Sequence, residues 1–416
     1  MSGEIARPVS TPPPPPAPPR TRYAMNGNIS LAYHVLGDGP TDLLVVLGGV
    51  SHLELAYGHP SMGGFLSQLA RRHRVILFDK RGAGMSDRVS DATTPWQRLE
   101  DMRVVMDAAG SKRAVLLGIG EGAAVTALFA AVHPSLTLAA VLWGGSARVL
   151  STPDHPHGAS ADFVETSTAR IRELWGEAVF ADLEAPSLAA DEAFREWTAS
   201  YLRMAASPGN ALALLRENVA LDVRRIVGDV SVPTVVLHRR GDRVTPIGAG
   251  RWLSSHIPGA RFYELEGDDH VPFAGDARRV VSLVEDVSRQ LLSEDASGER
   301  SVLAPVGVMA ALAGLADPKL ASPKGRLVGA DPLGAVFAFD DLGDALALAR
   351  HALDRGITRS VGLHVAPCPA RSPSLVAPGV LEARAVAESA PPGGIGGSAI
   401  VFDLGYGLDL RDVAFV

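Results

Sequence analysis

The first part of the chain, to about residue 290, alternates short apolar runs with longer stretches in which apolar residues recur at helical spacing. The apolar runs have the length and composition of buried strands: Leu43–Leu47, Val75–Phe78, Ala114–Leu117, Ala139–Leu142, Thr234–Leu237 and Phe262–Leu265. Connections such as Met62–Arg72 and Gly122–Val132 carry helical signals. This alternation predicts a mostly parallel sheet covered by helices on both faces, which is the α/β class.

Departures from this pattern divide the chain. Eight of the 30 prolines fall in the first twenty residues, which predicts an extended tail, either a solvated spacer or a docking segment for an aromatic-lined groove. The stretch from Ser160 to Val227 is helical and interrupts the alternation, so it predicts a lid. Ser293–Arg300 is polar and predicts a linker. The expected organisation is a tail at 1–22, a domain at 23–292 with its lid at about 149–227, a linker at 293–300 and a second domain at 301–416.

Composition and charge exclude several classes of function. The formal net charge is −7, without a basic stripe, which argues against a nucleic-acid binder. A single cysteine, Cys368, excludes an internal disulfide framework and fits a reducing compartment. No apolar run reaches about 18 residues and no secretory signal is present, so a cytoplasmic protein without a membrane partner is expected. Cys and His pairs at zinc spacing are absent, and neither a metal nor a cofactor is expected.

The segment Arg113–Pro134 predicts a strand, a glycine-dense turn and a helix, and two motifs compete for it. Gly118–Ala123 formally matches the dinucleotide fingerprint G-x-G-x-x-[GA]. That site needs an acidic residue at the end of the next strand, where this chain has Trp143-Gly144-Gly145. The alternative is a nucleophile elbow, G-x-S-x-G, in which Gly120 stands where the serine would be.

Further motifs lie on both sides of this segment, and those of the acid and the histidine follow it in the order that accompanies such an elbow. They are Leu47-Gly48-Gly49 after a strand, the turn Asp79–Asp87, Gly241-Asp242 after a later strand, and Asp269–Phe273 around His270. With these motifs, residues from about Tyr23 to Leu292 strongly resemble the α/β-hydrolase fold family. The resemblance implies an α/β-hydrolase fold with a mostly parallel sheet and a helical lid.

The resemblance also implies roles for individual residues. His270 would be a base oriented by Asp242, and the backbone N–H groups of Gly49 and Glu121 would face an oxyanion. The Glu121 side chain itself is interpreted as structural. Gly120, the degenerate nucleophile position, has no side chain, so no acyl-enzyme can form there.

Two serines are the nearest substitutes for the missing nucleophile. Ser51 and Ser86 belong to a loop and a turn, and neither occupies the elbow. We therefore interpret both as residues that hydrogen-bond within their own loops, and a displaced nucleophile remains the alternative.

The resemblance extends to a subfamily fused to class III adenylate/guanylate cyclase domains. Ser51–Leu55 and Gly241–Asp276 carry it in the first domain, and in residues 301–416 it rests on Gly325–Val328, Val336–Asp340, Val361–Val365 and Ala383–Val386. It implies a smaller, degenerate cyclase-like domain of α+β class. Domains of this class act as dimers, so a homodimer through the C-terminal domain is expected.

The residues that a nucleotide cyclase needs do not match. The two metal-binding aspartates fall on Ala310 and Leu333, with Asp331 out of register. Val380 replaces an asparagine that precedes Arg384, which is then a surface arginine, and His364 is a strand histidine. The resemblance therefore implies that nucleotide cyclisation is lost.

Three functions remain open. The first is a non-hydrolytic small-molecule-binding or regulatory and assembly protein. The second is an enzyme of the lyase, hydratase, cyclase or cofactor-free oxygenase type, in which the His270–Asp242 pair acts as a general base without an acyl-enzyme. The third is a serine esterase with a displaced nucleophile.

The lid bears on the ligand. Four aromatic residues, Trp175, Phe180, Trp197 and Tyr201, are spaced like lid helices with apolar undersides. They either pack the lid or form a cage for a small hydrophobic ligand. An open pocket beside Gly120 would favour an enzyme, and a filled one would exclude it.

Overall fold

The computed structural model describes residues 17–89, 93–297, 306–313, 326–331, 334–339, 342–355, 358, 360–367, 386–387, 390–391, 395–397 and 413–415. Most of the predicted proline-rich tail lies outside these residues. Its end does not follow the prediction, because the first strand begins at Arg22 and the Thr21 hydroxyl lies 2.9 Å from His34 Nε2. The folded domain therefore begins slightly earlier than expected.

Eight strands form the first sheet. They are β1 (Arg22–Asn26), β2 (Ile29–Leu36), β3 (Thr41–Val46), β4 (His73–Phe78), β5 (Ala114–Ile119), β6 (Thr137–Trp143), β7 (Thr234–Arg239) and β8 (Arg261–Leu265). Their order is β1-β2-β4-β3-β5-β6-β7-β8, and all pairs from β4 to β8 are parallel. The six predicted strands correspond to β3 to β8, which confirms the α/β class and the mostly parallel sheet.

The helices described in this region are α1 (Pro60–Leu69), α2 (Pro95–Ala108), α3 (Gly122–Val132), α4 (Ala161–Leu174), α5 (Ala181–Glu184), α6 (Glu192–Ala205), α7 (Pro208–Ala220), α8 (Ile247–His256) and α9 (Ala277–Ser297). Five of them, α1, α2, α4, α6 and α7, begin at residues whose side chains cap them. The hydroxyl of Thr94 accepts a hydrogen bond from Gln97 N and completes a capping box for α2. Ser160 and Ser207 cap α4 and α7 in the same way.

Helix α9 corrects one predicted boundary. It continues to Ser297, five residues into the linker expected at 293–300. The segment Ser293–Ser297 contains serine, glutamate, aspartate and alanine, all of which a helix accepts, so its polar composition does not distinguish a helix from a linker.

The core lies on both faces of the first sheet. Every residue of α3 is buried, and this helix packs directly under the strand ends. A Cβ atom at Gly122 would lie 2.2 Å from the carbonyl oxygen of Val46, so only glycine permits this close approach of α3 to β3. Helices α4 to α7 are inserted between β6 and β7, where the sequence predicts the lid.

The described C-terminal residues form a second sheet. Its strands are β9 (Val306–Ala313), β10 (Arg326–Asp331), β11 (Gly334–Phe339), β12 (Ser360–Pro367), β13 (Ile395–Gly397) and β14 (Val413–Phe415), in the order β10-β11-β9-β12-β13-β14. Helix α10 (Leu342–Asp354) follows β11. Likeness to a cyclase domain stays a prediction.

The cyclase positions fall partly within this sheet. Ala310 lies in β9 opposite Phe337 and Leu363, Asp331 ends β10, and His364 lies in β12. Leu333, Val380 and Arg384 lie outside the described residues. Across the described part of the chain, no helix is both long and apolar enough to cross a membrane.

Candidate active site

Asp242 and His270 lie side by side at the carboxyl edge of the first sheet. Asp242 follows β7, and His270 lies in the loop after β8. Their side chains are joined by a 2.8 Å hydrogen bond between His270 Nδ1 and Asp242 Oδ2. An ionised carboxylate only accepts hydrogen bonds, so Nδ1 donates and Nε2 carries the lone pair of the neutral ring. The structure therefore brings the two residues together in the arrangement of an oriented base.

Backbone and side-chain donors fix this pair in place. The other oxygen of Asp242 accepts hydrogen bonds from Val244 N at 2.9 Å and Thr245 N at 3.0 Å. Trp143 Nε1 donates to the carbonyl oxygen of His270 at 2.6 Å. The pair is thus held from the end of β6 as well as from its own loops.

Arg239, the last residue of β7, supports the histidine loop from below. Its guanidinium donates to three carbonyl oxygens of that loop, those of Asp269, Val271 and Ala274, at 2.9, 3.0 and 2.6 Å. It also lies 5.0 Å from the centre of the Trp143 ring. Because the buried guanidinium joins three carbonyl oxygens of the loop, the loop has little freedom to change shape.

The electrostatics of the pair favour a base that is readily protonated. Burial disfavours the charged form of His270, but the Asp242 carboxylate outweighs this, with smaller contributions from Glu184 and Glu121, and the pKa of His270 is raised. Burial would raise the pKa of Asp242, yet the charge of His270 and the hydrogen bond from His238 hold that pKa well below its ordinary value. Asp242 therefore stays ionised and stabilises the imidazolium that forms when His270 takes a proton.

Gly120 occupies the sharp turn between β5 and α3. Its φ of +59° lies in the left-handed region, as a tight strand-to-helix turn requires. A Cβ atom at this position would lie 3.0 Å from His270 Nε2. The turn thus points at the base in the way a nucleophile would, but it carries no side chain.

The predicted oxyanion donors are already hydrogen-bonded. The carboxylate of Glu121 accepts hydrogen bonds from Gly49 N–H and from its own backbone N–H. Asn218 Nδ2 donates to it at 2.8 Å, and Lys80 Nζ lies 3.7 Å away. Burial opposes ionisation of Glu121, but Lys80 and the backbone N–H groups prevail and the pKa of Glu121 is lowered. An anionic side chain therefore stands where the sequence leads one to expect a bound oxyanion, which corrects the picture of two free donors.

The two candidate serines have structural roles. Ser51 Oγ donates to Asp79 Oδ1 at 2.6 Å, and Ser86 Oγ donates to the Asp79 carbonyl oxygen at 2.5 Å. Both side chains are buried, and neither lines the cavity described next. The interpretation of these serines as loop hydrogen-bonding groups therefore holds.

A cavity of about 310 Å³ lies between the sheet edge and the lid. Gly120, Glu121 and His270 line its floor, and all four aromatic residues predicted for the lid line its roof: Trp175, Phe180, Trp197 and Tyr201. Trp175 Nε1 and Trp197 Nε1 donate to the carbonyl oxygens of Ala206 and Leu55, at 2.9 and 2.8 Å. The pocket beside Gly120 is therefore open, mainly apolar and roofed by aromatic rings that backbone contacts hold in place.

Glu184 is a site residue that sequence reasoning missed. It is the last residue of α5, it lines the cavity, and its carbonyl oxygen accepts from His270 N at 2.8 Å. Burial raises the pKa of its carboxyl to about 7. No motif surrounds it, and its position in the lid is the only signal that the sequence offers. Among the residues described, no cluster of three or more His, Cys, Asp or Glu side chains could hold a metal ion.

Comparison with known proteins gives a consistent result. A protein-family profile described as alpha/beta hydrolase fold matches residues 43–277. A pimeloyl-[acyl-carrier protein] methyl ester esterase of Chromobacterium violaceum is 26% identical over 251 residues, which are 59% of this chain and 92% of the esterase. A 3-oxoadipate enol-lactonase of Acinetobacter baylyi is 28% identical over 206 residues, 48% of this chain and 73% of that protein.

Solved structures agree on the fold. An enol-lactonase from Burkholderia xenovorans superposes with a TM-score of 0.55 at 21% identity, covering 64% of this chain and 100% of its own. A bromoperoxidase from Bacillus anthracis superposes with a TM-score of 0.54 at 19% identity, covering 66% and 99%. At these identities the likeness is one of fold.

Proposed function

Because this chain belongs to the alpha/beta hydrolase fold family, we propose that it is a small-molecule enzyme of that fold whose His270–Asp242 pair acts as a general base without an acyl-enzyme. The observation that carries the proposal is the open cavity, which reaches Gly120 and His270 together. A supported, correctly oriented base facing an accessible pocket is what general-base chemistry requires. No cofactor is needed for such a step.

Two features argue against acyl transfer. Gly120 provides no hydroxyl beside Nε2, and the Glu121 carboxylate engages both backbone donors that would stabilise a tetrahedral oxyanion. A second negative charge in that position would be repelled. The nucleophile position is therefore degenerate in our proposal, although the named relatives include an esterase and a lactonase.

The lining of the cavity suggests the class of substrate. Apolar side chains dominate it, and the carboxyl groups of Glu121 and Glu184 lie close to the base. A carboxylate ligand would meet the like charge of the ionised Glu121, whereas a neutral molecule would not. The proposed substrate is a small, neutral, mainly apolar molecule with a proton that His270 Nε2 can remove.

The proposal is tested with 5-nitrobenzisoxazole, a neutral apolar probe that releases a coloured phenolate when a base removes its ring proton. We expect saturable turnover that falls by about 100-fold or more in His270→Ala, the range of general-base catalysis. His256→Ala, a change at an exposed histidine of α8, serves as the matched control and should leave the rate unchanged. Equal rates for wild type and His270→Ala would overturn the proposal.

A second candidate is a binding or regulatory protein that has given up catalysis. The engagement of both oxyanion donors by Glu121 favours it, since a ligand site without turnover does not need those donors. Trp175 and Trp197 line the cavity and report occupancy by fluorescence. Saturable quenching by the same probe with no phenolate release would favour this candidate over the enzyme.

The remaining sequence-based hypotheses enter as proposals with simple tests. A fluorophosphonate should leave the protein unlabelled, and labelling of Ser51 or Ser86 would instead support an esterase with a displaced nucleophile.

We propose that residues 301–416 form a degenerate cyclase-like assembly domain. ATP or GTP with Mn²⁺ should yield no cyclic nucleotide, and solution mass should show a dimer; either a cyclic product or a strict monomer at high concentration would contradict this assignment.

A further inference from the structure

Glu184 is tied to the catalytic histidine through the backbone. Its carbonyl oxygen accepts hydrogen bonds from His270 N at 2.8 Å and from Val271 N at 3.0 Å. These bonds cross from the lid helix α5 to the histidine loop and fix the position of Glu184 relative to the base. Its side chain lines the same cavity as Gly120 and His270.

The Glu184 carboxyl group has no hydrogen-bond or ion-pair partner among the residues that the structure describes. Within the described part of the chain, no side chain or backbone N–H donates to it and no cation pairs with it. Glu121, the other carboxyl in the cavity, differs, because it accepts from Gly49 N–H, its own N–H and Asn218. An unpaired carboxylate is costly to bury, so a carboxyl left in this state is either held protonated or awaits a polar group of the ligand.

The charges around Glu184 reinforce the protonated form. Glu121, Asp242 and Asp182 each add negative potential at its carboxyl, and only His270 acts in the opposite sense. Together with burial they place its pKa near 7, so the group carries a transferable proton close to neutrality.

We propose that Glu184 is a second catalytic residue of this pocket, a general acid that protonates a heteroatom of the substrate while His270 removes a proton from another atom. This inference rests on the proposed role of His270. The bond to hydrogen breaks at the atom facing Nε2, and its electron pair forms a new π bond within the substrate. In an isomerisation a π-electron pair moves to the oxygen, and in an elimination the bond from the neighbouring atom to the oxygen breaks and its pair goes to the oxygen; in both, a new O–H bond forms with the Glu184 proton. No oxidant or reductant is consumed, and exchange with water returns a proton from His270 to Glu184.

This pairing narrows the substrate class. The substrate is a neutral, mainly apolar molecule with an acidic C–H bond and, a short distance away, an oxygen that gains negative charge in the reaction. Proton-shift isomerisations of carbonyl compounds and eliminations from cyclic oxime ethers have this form. Ligands that carry a carboxylate near this end of the cavity are excluded, because they would meet the ionised Glu121.

The test compares two leaving groups in Glu184→Gln. An acid that protonates the departing oxygen matters most when that oxygen leaves as a poor leaving group. The variant should therefore slow unsubstituted 1,2-benzisoxazole by about 100-fold and 5-nitrobenzisoxazole by only about threefold. The matched control, Glu173→Gln, changes an exposed glutamate of α4 and should slow neither probe. An equal slowing of both probes in Glu184→Gln would assign Glu184 a structural role and overturn the proposal.

Two further measurements separate this inference from the proposed function. In wild type, nuclear magnetic resonance of [δ-¹³C]glutamate should show one carboxyl titrating near pH 7, present in Glu173→Gln and absent in Glu184→Gln. The rate with unsubstituted benzisoxazole should decline at alkaline pH as Glu184 loses its proton, and this decline should vanish in Glu184→Gln. If His270→Ala turns over both probes normally, the proposed function fails even when the Glu184 signal is found. If His270→Ala is inactive but no carboxyl titrates near neutrality, only the general-acid assignment fails.

Discussion

One half of the candidate site has its functional side chains and the contacts that hold them, whereas the other half lacks a side chain at its central position. The base half consists of Asp242, His270 and the buried Arg239 that holds the histidine loop. The nucleophile half consists of Gly120, Glu121 and Gly49, where the reactive side chain is absent and a carboxylate engages the oxyanion donors. The base, its orienting acid and its supporting bonds are therefore in place in a chain that has glycine at position 120.

The difference follows from how each half is built. Contacts from β6, β7 and the lid converge on His270, so its position is fixed by many residues at once. Gly120 belongs to a single turn whose φ of +59° favours glycine. A glycine at this turn places no side chain beside His270 Nε2.

The largest expected effect concerns the base half. Asp242→Asn should lower the turnover of 5-nitrobenzisoxazole by about 100-fold to 10,000-fold, because an amide no longer stabilises the imidazolium or fixes its tautomer. Steady-state rates measure this effect. Asp268→Asn alters a neighbouring carboxylate that is exposed to solvent and should change the rate little. If Asp242→Asn keeps most of the activity, the contact between Asp242 and His270 does not contribute to catalysis.

The next largest effect is expected when a serine is introduced into the nucleophile half. Gly120→Ser should make the protein react with a fluorophosphonate, since the new side chain starts 3.0 Å from Nε2. A serine at positive φ should also lower the free energy of unfolding by about 1–2 kcal/mol. Adding Glu121→Ala should free Gly49 N–H and raise hydrolysis of p-nitrophenyl butyrate by about 100-fold over Gly120→Ser alone.

The control for the repaired site is Gly120→Ser combined with Glu173→Ala, which changes an exposed lid glutamate instead. This pair should hydrolyse the ester no faster than Gly120→Ser alone. If Glu121→Ala gives no gain either, the Glu121 carboxylate is not what prevents acyl chemistry.

A stability comparison sharpens the contrast within the base half. Arg239→Met should lower the free energy of unfolding by about 3 kcal/mol, because three buried carbonyl oxygens lose their donor. Arg240→Met removes the adjacent, exposed arginine, whose ion pairs with Glu264 and Glu266 are screened by water, so its loss should be much smaller. Urea denaturation measures both. Equal losses in the two variants would show that the histidine loop does not depend on Arg239.

The smallest expected effect is the pH dependence of the rate. Only the neutral form of His270 accepts a proton, so the rate with 5-nitrobenzisoxazole should rise about tenfold per pH unit below the pKa of His270 and then level off. Because Asp242 and the neighbouring carboxylates raise that pKa, the midpoint should lie above the ordinary histidine value of about 6.5. Asp242→Asn should move the midpoint downward, and an unchanged midpoint would contradict the assignment of the titrating group.

The sequence predicts the parallel part of the sheet because fully buried strands such as β3 and β5 appear as continuous apolar runs. The hairpin of β1 and β2 lacks that signal, since β1 is largely exposed and mixes polar with apolar residues. The end of α9 was also missed, because Ser293–Ser297 is polar whether it forms a helical turn or a linker.

The site divides in the same way. Gly120, Asp242 and His270 stand in motifs whose order along the chain predicts their meeting. The roles of the Glu121 and Glu184 side chains depend on tertiary contacts: Glu121 meets Gly49 across the sheet edge, and Glu184 is carried to His270 by the lid. No spacing along the chain encodes either contact.

The two hydrogen bonds from His270 N and Val271 N to the Glu184 carbonyl oxygen have a consequence for the timing of the reaction. A ligand that enters by displacing α5 must break them, and the base then loses part of its positioning until the helix returns. For a ligand on that route, entry and proton transfer would be mutually exclusive events, and the base would be fully aligned only once the substrate is enclosed. The rate at which these two amide hydrogens exchange with solvent therefore measures how often α5 separates from the histidine loop, at the proposed base and the residue after it.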